Sequence, residues 1–122
     1  MTIENRRFQR TEALLGVEAM NKLHNSCVMV VGLGAVGGYA LEALARASIG
    51  KLILVDFDIV EESNINRQIL ALSSTIGKPK TEVAKERVLL INPNCEIIKI
   101  TITIYCDIYF IFHSLFILQL LS

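Results

Sequence analysis

The sequence has no excess of either charge, no cysteine pair at metal-binding spacing, no internal repeat and no low-complexity linker. Lys plus Arg and Asp plus Glu are equal at 12 each in 122 residues, so no overall field draws the chain to nucleic acid or anionic lipid. Any anion site must be local. The three cysteines, Cys27, Cys95 and Cys106, are odd in number and form no C-x-x-C pair. That speaks against a disulfide framework and against zinc, and no metal ligands are assigned. Cys27 and Cys95 adjoin apolar runs and read as small core residues. Residues 2–10 are polar and lack the apolar stretch of a signal peptide. A reducing, cytoplasmic compartment fits these features.

What is present suits one domain, with hydrophobic residues at 52%. Residues 6–23 alternate charged and apolar positions at helical spacing. Phe8, Leu15, Ala19 and Leu23 can share a face, with Gly16 as a break between two short helices. Residues 27–31 form a short β-branched apolar run, which is how a buried parallel strand reads. Gly32-Leu33-Gly34 then predicts a tight turn. From Ala35 the period changes to that of a helix, with Val36, Ala40, Ala43 or Leu44, and Ala47 on one face and Gly50 as the C-cap. Residues 52–55 predict a second buried strand ending at Asp56. A polar stretch follows, and Pro79 is expected at the first position of the next helix, whose stripe is Ala84, Val88 and Ile91. Asn92-Pro93-Asn94 stops that helix, and residues 96–105 predict a third strand.

The order strand, helix, strand, helix, strand is one mononucleotide-binding half of a doubly wound α/β fold. We therefore expect a Rossmann-like parallel sheet, truncated, preceded by a helical arm. The expected division is an arm over 1–24, a half-domain over 25–105 and an atypical apolar tail over 106–122. The tail is shorter than the ~20 residues that span a bilayer as a helix, so no membrane association is expected. It reads either as a helix or strand meant to be buried or, since it lacks the charged face of the other helices, as a segment foreign to the fold.

Gly32-x-Gly34-x-x-Gly37 follows a predicted strand and opens a predicted helix, the context a phosphate-binding turn requires. Gly32 permits the turn, Gly34 lets backbone approach a phosphate, and Gly37 lets helix and strand pack closely. The helix N-terminus offers free N–H groups to an anion. Asp56, 19 residues after Gly37, stands at the tip of the second strand, where a carboxylate can accept ribose hydroxyls. These features alone also fit an NAD-dependent dehydrogenase. The following segment argues against it. Asn64 to Gln68 supplies amide and guanidinium donors, and Lys80 falls in the first turn of a helix, where it opposes the helix dipole unless an anion lies between. Arg67 and Lys80 together suggest a triphosphate.

Arg7-Phe8-Gln9-Arg10, the glycine turn, Asp56-Phe57-Asp58, Asn64 to Gln68 and Gly77-Lys78-Pro79-Lys80 occur in the order found in the ThiF/MoeB superfamily, which this chain resembles over about residues 6–98. Within it, Arg10-Thr11 with Leu15-Gly16, and Asn64-x-Asn66-Arg67-Gln68, are similar to the tRNA threonylcarbamoyladenosine dehydratases. The resemblance implies ATP as cofactor and adenylylation of a carboxylate. Asp56 would hold the ribose, with Asp58 in the same nucleotide-binding group. Asn64, Arg67 and Lys80 would bind phosphates. Arg10 would reach the phosphates of the other subunit of a homodimer. Arg10, Arg67 and Lys80 would thus be the catalytic cations. Mg²⁺ is implied too, with its aspartate ligand after a fourth strand that this sequence does not show. The implied substrate is a tRNA, or alternatively a small sulfur-carrier protein. A non-catalytic nucleotide-binding fragment is the remaining alternative. Asp58, Glu61 and Glu62 are not assigned as metal ligands. Lacking the metal and substrate groups, the chain is expected to be inactive alone.

Overall fold

The computed structural model describes residues 6–101 and 116–120. The arm is two helices, α1 (Gln9–Leu15) and α2 (Val17–His24), separated by Gly16 at φ 83°. Strand β1 (Cys27–Val31), helix α3 (Gly37–Arg46), strand β2 (Lys51–Val55), helix α4 (Lys80–Ile91) and strand β3 (Glu96–Ile100) follow in the expected order. A short 3-10 turn, Glu62–Asn64, lies in the long connection before α4. The last described element is β4 (Phe116–Leu120).

The sheet order is β3-β2-β1-β4. β1 pairs β2 and β2 pairs β3 in parallel, in register from Cys27–Lys51–Glu96 to Val31–Val55–Ile100. Both crossovers step in the same direction away from β1. Right-handed connections therefore carry α3 and α4 to one face of the sheet. The Glu42 carboxylate on α3 accepts from Arg87 of α4, tying the two helices side by side. Leu52 and Leu54 of β2, Val30 of β1, Leu41 and Ala45 of α3, and Ala84 and Val88 of α4 close the core between sheet and helices.

β4 is antiparallel to β1, with Val31 opposite Phe116 and Cys27 opposite Leu120. The three-stranded parallel unit is as expected, and β4 adds an antiparallel edge strand. It stands beside β1, the slot that strand 4 takes in the doubly wound order, but runs in the opposite sense. β3 ends at Ile100, with Thr101 already outside the strand, short of the expected run to Tyr105; residues 102–105, the remainder of the apolar tail and Cys106 lie outside the described residues. Among the described residues no helix is long and apolar enough to cross a membrane.

Four local expectations are corrected. Gly50 does not cap α3, which closes at Ala47; Ser48 takes the left-handed conformation at φ 73°. Gly50 instead serves close packing, since a Cβ there would lie 1.8 Å from the His24 carbonyl oxygen. The buried stripe of α3 is Gly38, Leu41 and Ala45, because Val36 belongs to the turn and stays exposed. Pro79 is the N-cap rather than the first helical residue: its ψ of 134° is extended because it pairs with Ile59 in a β-bridge. In the arm, α1 buries nothing and Leu15 is exposed; Met20 is the buried residue of α2, with Leu23 packed on the core.

Candidate functional site

Val31 ends β1 beside the end of β2, and the chain must reverse there to start α3. Gly32 takes φ 86°, open to glycine at little cost, and its N–H donates to the Val55 carbonyl at 2.8 Å. Three residues after Gly34 the chain folds back so tightly that a Cβ on Gly37 would lie 1.7 Å from the Gly32 carbonyl oxygen. The first helical turn thus rests directly on the glycine turn. Asp56 closes the geometry: its Oδ2 accepts the Leu33 N–H at 2.7 Å, and its Oδ1 accepts the Asp58 N–H at 2.7 Å. Each oxygen keeps a second lone pair for a ligand hydroxyl.

The chain leaves β2 and returns to α4 through a small antiparallel ladder. Val60 N–H donates to the Lys78 carbonyl at 2.9 Å, Gly77 N–H to the Val60 carbonyl at 2.8 Å, and Lys80 N–H to the Asp58 carbonyl at 3.0 Å. Gly77 at φ 86° makes the approach to that ladder possible. The ladder brings Lys80 to Asp58, with Nζ 3.8 Å from Oδ2. Lys80 is only 5% exposed although it carries a charge, which is costly without an ionic partner.

The loop closed by the ladder folds over the glycine turn. Gln68, buried, brings its Nε2 to 3.8 Å from where a Gly34 Cβ would stand, and Ile69 Cγ2 comes to 3.0 Å from that of Gly38. Asn64 anchors the loop: it is buried, and its Oδ1 accepts the Glu61 N–H at 2.9 Å in a reciprocal capping arrangement. Arg67 is exposed, its Nη1 bonded to the Ser63 carbonyl at 3.0 Å and to Asn66 Oδ1 at 2.8 Å.

The structure therefore gathers Gly32, Gly34, Gly37, Asp56, Asp58 and Lys80 around one mouth at the C-terminal end of the strands. It seats the 64–68 segment on the same turn through Gln68. It gives Asn64 a holding role within its own loop and ties Arg67 to that loop. Arg10 stands apart, exposed on α1. Sequence reasoning missed the Leu33 N–H, Gln68 as the contact to Gly34, and the ladder that delivers Lys80. Only Gly77, a left-handed candidate just before Lys-Pro, could have signalled the last.

A cavity of about 220 Å³ lies elsewhere, lined by Arg7, Phe8, Met20, His24, Asn92 and Pro93. These residues precede β1 and β3 and so belong to the opposite end of the sheet. Nearby Cys95 is buried, and desolvation pushes its thiol up to about 11, leaving it a neutral core group.

The ThiF family model matches residues 8–107. A tRNA threonylcarbamoyladenosine dehydratase of Bacillus subtilis is 50% identical over 91 residues, covering 75% of this chain and 36% of that protein. The adenylyltransferase and sulfurtransferase MOCS3 of Drosophila yakuba is 49% identical over 82 residues, covering 67% of this chain and 18% of that one. The crystal structure of Escherichia coli tRNA N6-threonylcarbamoyladenosine dehydratase in complex with ATP aligns with a TM-score of 0.81 at 38% identity, over 93% of this chain and 46% of that chain. The chain thus spans less than half the length of these relatives.

Proposed function

The chain belongs to the ThiF family, and on that premise we propose that it is the ATP-binding portion of an adenylylating enzyme acting on threonylcarbamoyladenosine in tRNA. In this reading the glycine turn and the start of α3 receive phosphate, and the free lone pairs of Asp56 accept the ribose hydroxyls. Lys80 supplies the buried cation for the outer phosphates. Asn64 holds the loop and presents its remaining amide N–H groups; Arg67 turns from its loop partners to the phosphates. Arg10, projecting from the arm, serves the site of a second subunit in a homodimer. ATP supplies the adenylyl group: a substrate carboxylate oxygen attacks the α-phosphorus and pyrophosphate leaves, while the cations stabilise the accumulating negative charge. Mg²⁺ would accompany the phosphates, with its protein ligand outside the described residues.

One observation carries the reading: a buried lysine, delivered to the mouth of a glycine turn by a dedicated ladder, faces the Asp58 carboxylate just after β2. The ATP-bound Escherichia coli relative supports the choice of nucleotide. The Bacillus subtilis relative favours tRNA as the substrate class. A second reading, activation of a small sulfur-carrier protein, draws support from the MOCS3 likeness, over a shorter alignment.

The test is a thermal-shift comparison of ATP and NAD. ATP should raise the unfolding temperature and NAD should not. Lys80→Ala should weaken ATP binding by roughly tenfold to a hundredfold, the usual range for a lost charge-assisted contact, and Arg67→Ala by less. A larger shift with NAD, or full ATP affinity in both variants, would overturn the reading.

A further inference from the structure

Lys80 is the buried cation of the mouth, yet its pairing is incomplete. Among the described residues its one ionic partner is Asp58, and at 3.8 Å the contact is coulombic rather than a hydrogen bond. The three ammonium donors are therefore not consumed by it. Asp58 is held in place by its backbone: its N–H is bonded to Asp56 Oδ1 at 2.7 Å and its carbonyl accepts the Lys80 N–H at 3.0 Å. The Asp58 side chain is 47% exposed and the Lys80 side chain 6%, so the carboxylate is the more solvent-facing member of the pair. A phosphate approaching that ammonium from solvent must come close to the Asp58 carboxylate.

Resting on the ATP reading, we propose that Asp58 is not a nucleotide ligand but the counter-ion of Lys80, a residue that opposes the entry of the outer phosphates. Without nucleotide, the carboxylate stabilises a cation that burial would otherwise penalise. With nucleotide, the same carboxylate lies against polyphosphate charge, and like charges at such distances disfavour each other. AMP ends before the outer phosphates and does not meet this opposition. Asp58 thereby lowers the preference for ATP over AMP.

The sign of one substitution decides it. Isothermal titration of ATP and AMP against the parent and Asp58→Asn, in EDTA and again with Mg²⁺, is the experiment. Asp58→Asn should bind ATP about threefold to tenfold more tightly in EDTA, the size expected for removing one partly screened charge, with AMP unchanged. Asp58→Glu, which keeps the carboxylate, should retain the parent's ratio of ATP to AMP affinity. The ligand-free Asp58→Asn protein should melt below the parent and gain more from ATP. If the variant binds ATP as the parent does or more weakly, the counter-ion assignment is wrong. If it loses affinity only with Mg²⁺ present, Asp58 is a metal ligand and the assignment is equally overturned. If the parent itself binds neither nucleotide, the ATP reading fails and takes this inference with it.

Discussion

The two ends of the sheet are built on opposite plans. At the end where β1 and β3 begin, polar groups are paired within the protein. His24 Nδ1 lies 2.9 Å from Ser48 Oγ, buried Asn92 donates to the Ile49 carbonyl at 3.0 Å, and the Arg7 guanidinium donates to the Ile91 carbonyl at 3.1 Å, closing the C-terminus of α4. At the end where β1 and β2 finish, Lys80 is buried against a carboxylate too distant to bond, and Asp56 keeps unused acceptors. Exposed Val36, Tyr39 and Ile59 belong to the same segments. One end pairs its polar groups by hydrogen bonds; at the other, among the described residues, the Lys80 ammonium has only an ion pair at 3.8 Å. The same helix, α4, runs between them, capped by Arg7 at one end and starting with Lys80 at the other.

Matched glycine substitutions give the largest test of that contrast. A Cβ at Gly37 would lie 1.7 Å from the Gly32 carbonyl oxygen and one at Gly50 1.8 Å from the His24 carbonyl oxygen. Each alanine variant should lose about 3 kcal/mol or more, because backbone must move to make room. Urea denaturation reads both losses. Gly37→Ala should also abolish ATP binding by molecules that remain folded, and Gly50→Ala should leave it intact; loss of binding in both would erase the distinction between the ends. Next in size is Asn92→Ala. Stranding the buried Ile49 carbonyl should cost about 1–3 kcal/mol, read by the same unfolding curves, with ATP affinity unchanged.

The smallest effect concerns pH. Hydrogen bonding to Arg87, followed by Arg46, holds the Glu42 carboxyl below the usual carboxylate range. Its folded value is depressed, so its contribution is complete above the unfolded value near 4.5 and is lost as pH falls through the folded one. Stability of the parent should fall with acid in that window, and Glu42→Gln should flatten the fall by up to about 1 kcal/mol. An unchanged slope in chemical denaturation at pH 3–5 would show that the α3–α4 tie contributes nothing.

The parallel core and the glycine turn were legible because their signals are local. Apolar runs at 27–31 and 52–55 match β1 and β2 to within a residue, and Gly32-x-Gly34-x-x-Gly37 forces its own geometry. The stripe of α3 was misread because Val36 stands in the turn, and only the packing of Ile69 and Leu70 onto Gly38 selects the face. Pro79 was displaced by one position by its bridge to Ile59, a contact across the loop that no periodicity carries. The pairing of Lys80 with Asp58 depends on that bridge and was invisible for the same reason. The antiparallel sense of β4 likewise depends on partners distant in sequence.

The most direct measurement is a calorimetric series of AMP, ADP and ATP on the parent and on Lys80→Ala. Affinity should climb as phosphates are added to the nucleotide, and that climb should vanish in the variant while AMP binding persists. Equal affinity across the series in the parent, or an undiminished climb without Lys80, would contradict a triphosphate site at this mouth.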